Sequence, residues 1–165
     1  MPFEIEKYRD IEDFIKKQGK STKIIAISKN HPFEEVKKAL LMGVKIFGEN
    51  KVQEAQSKFI KIKQEYKNIE LHLTGPLQSN KVKSALEIFD VFQTLDREKL
   101  ANEFMKHKSL INNKKFFIQI NTGKEDNKSG IFPENADNFI NYCKNDLSLP
   151  VVGLMCIPPI LDRPL

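Results

Sequence analysis

At 165 residues, 40% hydrophobic and 30% charged, the chain can bury the core of one domain, and no apolar stretch approaches the 18 or so residues of a membrane helix. A net charge of +5 and a pI of about 9.1 raise the question of nucleic acid. The excess is spread along helical faces, as at Lys37/Lys38, Lys58/Lys61/Lys63 and Lys106/Lys108, and Arg is confined to Arg9, Arg97 and Arg163. With no DNA- or RNA-binding motif, the charge reads as solvated surface and neither nucleic acid nor membrane is expected as a partner.

The first seven residues, Met-Pro-Phe-Glu-Ile-Glu-Lys, are too polar and acidic for a secretory signal. Cys143 and Cys156 lack zinc-type spacing, so a cytoplasmic protein without a disulfide is expected. Residues 3–17 have helical spacing, with Ile5, Tyr8, Ile11 and Phe14/Ile15 as the core stripe. A first strand follows over 23–28, then a helix over 33–42 with Phe33, Val36, Leu40 and Leu41 inward. The strand at 44–48 leads to a helix over 52–66 carrying Val52, Ala55, Phe59, Ile62 and Tyr66 on one face. Strands at 70–74 and 90–94 are each followed by helical signals, one starting at Asn80 and one over 97–107. The strand at 115–121, a helix over 133–143 and a strand at 151–155 complete the series, before a proline-flanked tail at 158–165.

Short apolar runs alternating with amphipathic helices are the repeat of a parallel α/β sheet. A doubly wound dinucleotide fold would carry a Gly-rich turn after its first strand, and Ser28-Lys29-Asn30-His31-Pro32 contains no glycine. The sequence therefore favours a (β/α)8 barrel with about six of its eight units present. Residues 1–165 form one such domain, with strands 7 and 8 expected to be missing.

Lys29 ends the first strand, on the rim where ligands bind in α/β folds. Screened from water by the following elements, it would be suited to attack an aldehyde as a neutral amine; the competing reading is one more surface lysine. Other strand ends carry Phe47-Gly48-Glu49-Asn50, Thr74-Gly75-Pro76-Leu77-Gln78-Ser79-Asn80-Lys81, Asn121-Thr122-Gly123 and Gly153-Leu154-Met155-Cys156. Each has a bland alternative. Asn50 and Ser79 could cap the helices that follow, and Gly48, Gly75 and Gly130 could be turn residues with positive φ. Together on one rim they describe a cup for a small polar ligand. His31, His72 and His107 lack metal spacing, and His72 reads as a packed or rim residue.

The blocks Ile25-Ala26-Ile27-Ser28-Lys29, Phe47-Gly48-Glu49-Asn50-Lys51-Val52-Gln53-Glu54, Leu71-His72-Leu73-Thr74-Gly75-Pro76-Leu77-Gln78-Ser79-Asn80-Lys81 and Gly153-Leu154-Met155 resemble the signature of one family. Ile118-Gln119-Ile120-Asn121 with Lys128-Ser129-Gly130 matches a further block. The family is that of the pyridoxal phosphate homeostasis proteins, whose barrel is similar to the N-terminal domain of alanine racemase. The resemblance implies pyridoxal 5'-phosphate as cofactor, held as an aldimine on Lys29, with Asn50, Ser79 and Met155 lining the same rim. It implies a monomeric carrier in vitamin B6 homeostasis, handing the cofactor to amino acids or apoenzymes, rather than an enzyme. A racemase-like enzyme on the same lysine is the alternative, although Tyr8, Tyr66 and Tyr142 all fall in predicted helices. The family's phosphate-holding loops follow its seventh and eighth strands, so weak cofactor binding by the chain as given is expected.

Overall fold

The structure is a computed structural model that describes residues 3–159; the tail at 160–165 lies outside the described residues. Six strands form one all-parallel sheet in sequential order: β1 (Ala26–Ile27), β2 (Ile46–Glu49), β3 (Glu70–Leu73), β4 (Val91–Leu95), β5 (Lys115–Ile120) and β6 (Val151–Cys156). A doubly wound sheet reverses its order at a switch point, and this one never does, so the winding is of the barrel type. Among the described residues β1 pairs only with β2 and β6 only with β5, which leaves two edges instead of a closed barrel.

The connections carry α1 (Ile5–Lys17), which precedes the sheet, α2 (Phe33–Leu41), α3 (Val52–Glu65), α4 (Val82–Ile88), α5 (Glu98–Met105), α6 (Lys108–Ile111) and α7 (Ala136–Asn141). Strand alternation sends Phe47, Leu71, Leu73, Phe92, Phe116 and Ile118 into one buried cluster with helical residues such as Phe59, Leu100 and Phe104. At its centre Phe92 stacks on Phe116, centroids 5.1 Å apart, and Phe104 meets both edge-on at 5.0 and 4.8 Å. Each such pair adds about 0.5–1.5 kcal/mol beyond the area it buries. The opposite sheet face is mixed: beside Ile46, Val91 and Phe117, His72 bonds Glu70 at 3.0 Å and Gln93 at 2.8 Å, and Lys115 bonds Glu70 at 2.9 Å.

Several sequence expectations are corrected. The first strand is only two residues long: its ladder with β2 pairs Ala26 with Phe47 and Ile27 with Gly48, and Ile24 and Ile25 precede it. The α1 stripe is only half-covered: Ile5, Tyr8 and Ile15 are partly buried, Tyr8 packing against the core, whereas Ile11 and Phe14 are exposed. Leu41 is also exposed, one helical step past the buried Leu40. The four-residue α6 is too short to announce a period, and α7 continues as a π-helical turn over Tyr142–Asp146.

Candidate functional site

Lys29 stands two residues beyond β1. The last ladder bond is Ser28 N–H to the Gly48 carbonyl at 2.9 Å; the chain then turns, with His31 N–H donating to the Ser28 carbonyl at 3.1 Å. Asn30 takes up the left-handed conformation of that turn, φ 61°, which Asn tolerates better than most residues. Lys29 is exposed. The screening expected from the following elements is not provided by the described residues, because β1 is an edge strand with a neighbour on one side only.

Beneath this turn lies a buried charge cluster. Lys58 of α3 donates to the Ser28 carbonyl at 2.7 Å, to Glu49 Oε1 at 2.7 Å and to Glu54 Oε1 at 2.8 Å. Ser28 Oγ donates to Glu49 Oε1 at 2.7 Å, and Asn30 N–H to Glu54 Oε1 at 2.5 Å. Glu49 is fully buried and Lys58 is 5% exposed. The Lys58 hydrogen bond holds the Glu54 carboxyl below its ordinary value, burial opposing it and the Asn30 N–H adding to it. The expectation that Lys58 is solvated surface is thus wrong. Its spacing from Ala55 and Ile62, three and four residues away on the buried stripe of α3, was the signal.

Asn50 follows β2 directly, and its Oδ1 accepts from Thr74 Oγ1 at 2.8 Å. It does not cap α3, whose N-cap is Lys51. Gly75 lets the ends of β2 and β3 approach: a Cβ there would collide with the Asn50 carbonyl oxygen and stand 2.7 Å from its Cα. Neither Gly48 nor Gly75 has positive φ, whereas Gly130 does, at 124°. Ser79, half-buried, opens a short 3-10 turn over Ser79–Lys81 instead of capping a helix.

Beyond β5 the Asn121 side chain organises the next loop, donating to the Glu125 and Lys128 carbonyls at 2.8 and 3.2 Å and accepting from Glu125 N–H at 3.2 Å. Gln119 Nε2 donates to the Ser129 carbonyl at 3.1 Å. Between this loop and the ends of β2 and β3 lies a cavity of about 250 Å³ lined by Asn50, Thr74, Gln119, Asn121, Lys128 and Ser129 among others. A second rim cavity of about 530 Å³ shares Asn50 and is lined by Gln78, Lys51, Lys81 and Arg97, with no acidic side chain in its wall. Neither is lined by a tyrosine. Of the expected rim residues, Asn50 lines both cavities, and Thr74 and Gln119, which stand in the quoted blocks without an assigned role, join it in the first. Met155 lines a separate space of about 320 Å³ beside His72 and Gln93, and Ser79 lines none of the three.

A family model described as the alanine racemase N-terminal domain matches residues 6–165. The pyridoxal phosphate homeostasis protein of Pasteurella multocida is 41% identical over 151 residues, covering 89% of this chain and 64% of the relative. That of Buchnera aphidicola subsp. Schizaphis graminum is 39% identical over 158 residues, covering 92% of this chain and 68% of the relative. The chain thus spans about two thirds of the length of the curated relatives it matches. Among solved structures, PipY of Synechococcus elongatus without PLP superposes with a TM-score of 0.75 at 32% identity, over 92% of this chain and 72% of that one. PipY with PLP bound gives 0.71 at 30% identity, over 90% and 70%. Alanine racemase from Corynebacterium glutamicum, at 16% identity and a TM-score of 0.61 over 86% of this chain and 41% of that one, shares the fold.

Proposed function

Since this chain belongs to the family of the alanine racemase N-terminal domain, and within it to the pyridoxal phosphate homeostasis proteins, we propose that it binds pyridoxal 5'-phosphate at the strand-end rim through Lys29. The observation that carries the reading is the exposed primary amine of Lys29 at the end of β1, on the same rim as two polar cavities. When bound, the cofactor supplies an aldehyde carbon that a neutral primary amine attacks with loss of one water. The residues present fit such a group. Lys29 offers the amine, and Asn50, Thr74 and Gln119 offer hydrogen bonds around a cavity of the same rim; Arg97, beside the second cavity, is already committed to Asp96 and to the Leu77 carbonyl.

The protein acts as a carrier in cofactor homeostasis, a monomer of the cytoplasm, passing its cargo to amino acids or apoenzymes without turnover of its own. Racemisation needs two groups on opposite faces of the substrate to remove and return a proton. The three tyrosines lie in or beside the helices, which supports the carrier reading. Asn50 lines both rim cavities, whereas Ser79 and Met155 line neither and belong to neighbouring surfaces.

The test is to incubate the protein with pyridoxal phosphate, reduce with borohydride and map the adduct by peptide mass spectrometry. Label on Lys29, lost in Lys29→Ala, is expected; label scattered over many lysines would defeat the proposal. Chiral analysis after incubation with L-amino acids separates carrier from racemase, and accumulation of D-amino acid would overturn the non-enzymatic reading.

A further inference from the structure

Lys29 is flanked by two peptide groups, and the cluster beneath the turn grips both. The peptide before it presents the Ser28 carbonyl to Lys58 Nζ at 2.7 Å. The peptide after it presents the Asn30 N–H to Glu54 Oε1 at 2.5 Å. The two holds are tied to each other, because the same Lys58 ammonium bonds the same Glu54 oxygen at 2.8 Å. Glu49 anchors the assembly from β2, accepting from Lys58 and from Ser28 Oγ, each at 2.7 Å. Fixing the peptide planes on either side of a Cα fixes the direction of its Cα–Cβ bond. No side chain of the cluster need touch Lys29 to do so.

We infer that Lys58, Glu49 and Glu54 are positioning residues: they clamp the turn so that the Lys29 amine is presented to a carbonyl compound on the rim. This rests on the functional reading above and adds to it the residues that aim the amine. Stability alone is a poor reason for the arrangement, since apolar residues of similar volume often replace a buried ionic group without loss. A two-residue edge strand, moreover, gives the turn little ladder to stand on. A reacting group must be held within about 0.5 Å of its productive position, and preferably by rigid elements. Here the rigid element is α3, which supplies two of the three clamp residues. All three N–H donors of Lys58 are taken, so Lys29 has no competing amine in its own footing.

Glu54 is the residue to test, because it is partly exposed and its loss spares the fully buried Glu49. Glu54→Ala removes the acceptor for Asn30 N–H, and Glu54→Gln keeps an oxygen there. Three quantities are read on the folded proteins: thermal midpoint, hydrogen exchange of the Asn30 amide, and pyridoxal phosphate affinity with borohydride trapping on Lys29. In Glu54→Ala the Asn30 amide is expected to exchange faster and the affinity to fall roughly ten- to hundredfold, as displacement of a reacting group by about 1 Å would do. Glu54→Gln is expected to restore most of both. Wild-type affinity and trapping in folded Glu54→Ala would overturn the clamp and leave the functional reading intact. So would a Glu54→Gln as weak as Glu54→Ala. Absence of any Lys29 adduct in the unsubstituted protein would overturn the functional reading and the clamp's purpose with it, a result told apart by Asn30 exchange that still responds to Glu54→Ala.

Discussion

Around β4 and β5 the sheet is buried under helices, and Phe92, Phe104 and Phe116 fill the space between the layers with no charged group among them. At β1 two residues pair with β2, Ile27 is 46% exposed, and the turn beyond is held by an ammonium and two carboxylates. Burial in the centre is non-directional and roughly proportional to area, so it makes a stable body without aiming any one side chain. Hydrogen bonds to a buried charge are directional and costly to leave half-made, so the edge is specified where its core is thin. The candidate functional lysine sits at the edge.

The first way to break this contrast is at the centre. Phe92→Ala empties the middle of the aromatic cluster and should cost about 3–5 kcal/mol in urea unfolding. A loss below about 1 kcal/mol would mean that the sheet centre is not where stability resides. Next comes the contact that joins β2 and β3 at the rim. Gly75→Ala drives a methyl into the Asn50 backbone and should cost about 1–3 kcal/mol while loosening the Asn50–Thr74 bond. Unchanged stability with unchanged amide shifts at residues 49–51 would count against the close approach. At the far edge, Leu154 is 56% exposed on β6, and Leu154→Ser should move stability by no more than about 0.5 kcal/mol. A larger loss would show that this edge is covered in solution.

The centre and the edges also differ in how well the sequence foretold them. All six strands and the main helices were legible, because apolar runs and 3.6-residue stripes follow directly from burial on one face. The ends of elements were not: Ile24 and Ile25 look like strand, but pairing is made with another segment of the chain, which an apolar run by itself does not show. The α1 stripe was correctly helical but is covered only in part, since periodicity shows that a face is apolar and not how much of it something covers. The place of Lys29 just past a strand was legible from the apolar run before it. Its footing was not, because Glu49, Glu54 and Lys58 meet Ser28 and Asn30 only across more than twenty residues of chain. The bond between Thr74 and Asn50 was hidden for the same reason, since the two lie 24 residues apart.

The smallest expected effect probes the helix-free face, where His72 joins β3 to β4. Burial lowers the His72 imidazole below its ordinary 6.5, with the Glu70 carboxylate opposing the shift. The unfolded chain therefore takes up this proton first as pH falls, and the folded form lags behind it. The stability contributed by a neutral His72 is complete above about 6.5 and is lost as pH falls from there toward the folded value. Glu70, though burial raises it, is held low overall by Lys115 and His72, so its own contribution fades only below about 4.5 and occupies a separate window. Unfolding midpoints followed from pH 7 downward should thus show a shallow decline beginning near 6.5, smaller than the cost of Gly75→Ala, and a second at lower pH. His72→Gln should remove the first decline and leave the second. If the first persists in that variant, another titrating group governs it and His72 is not the source of the decline.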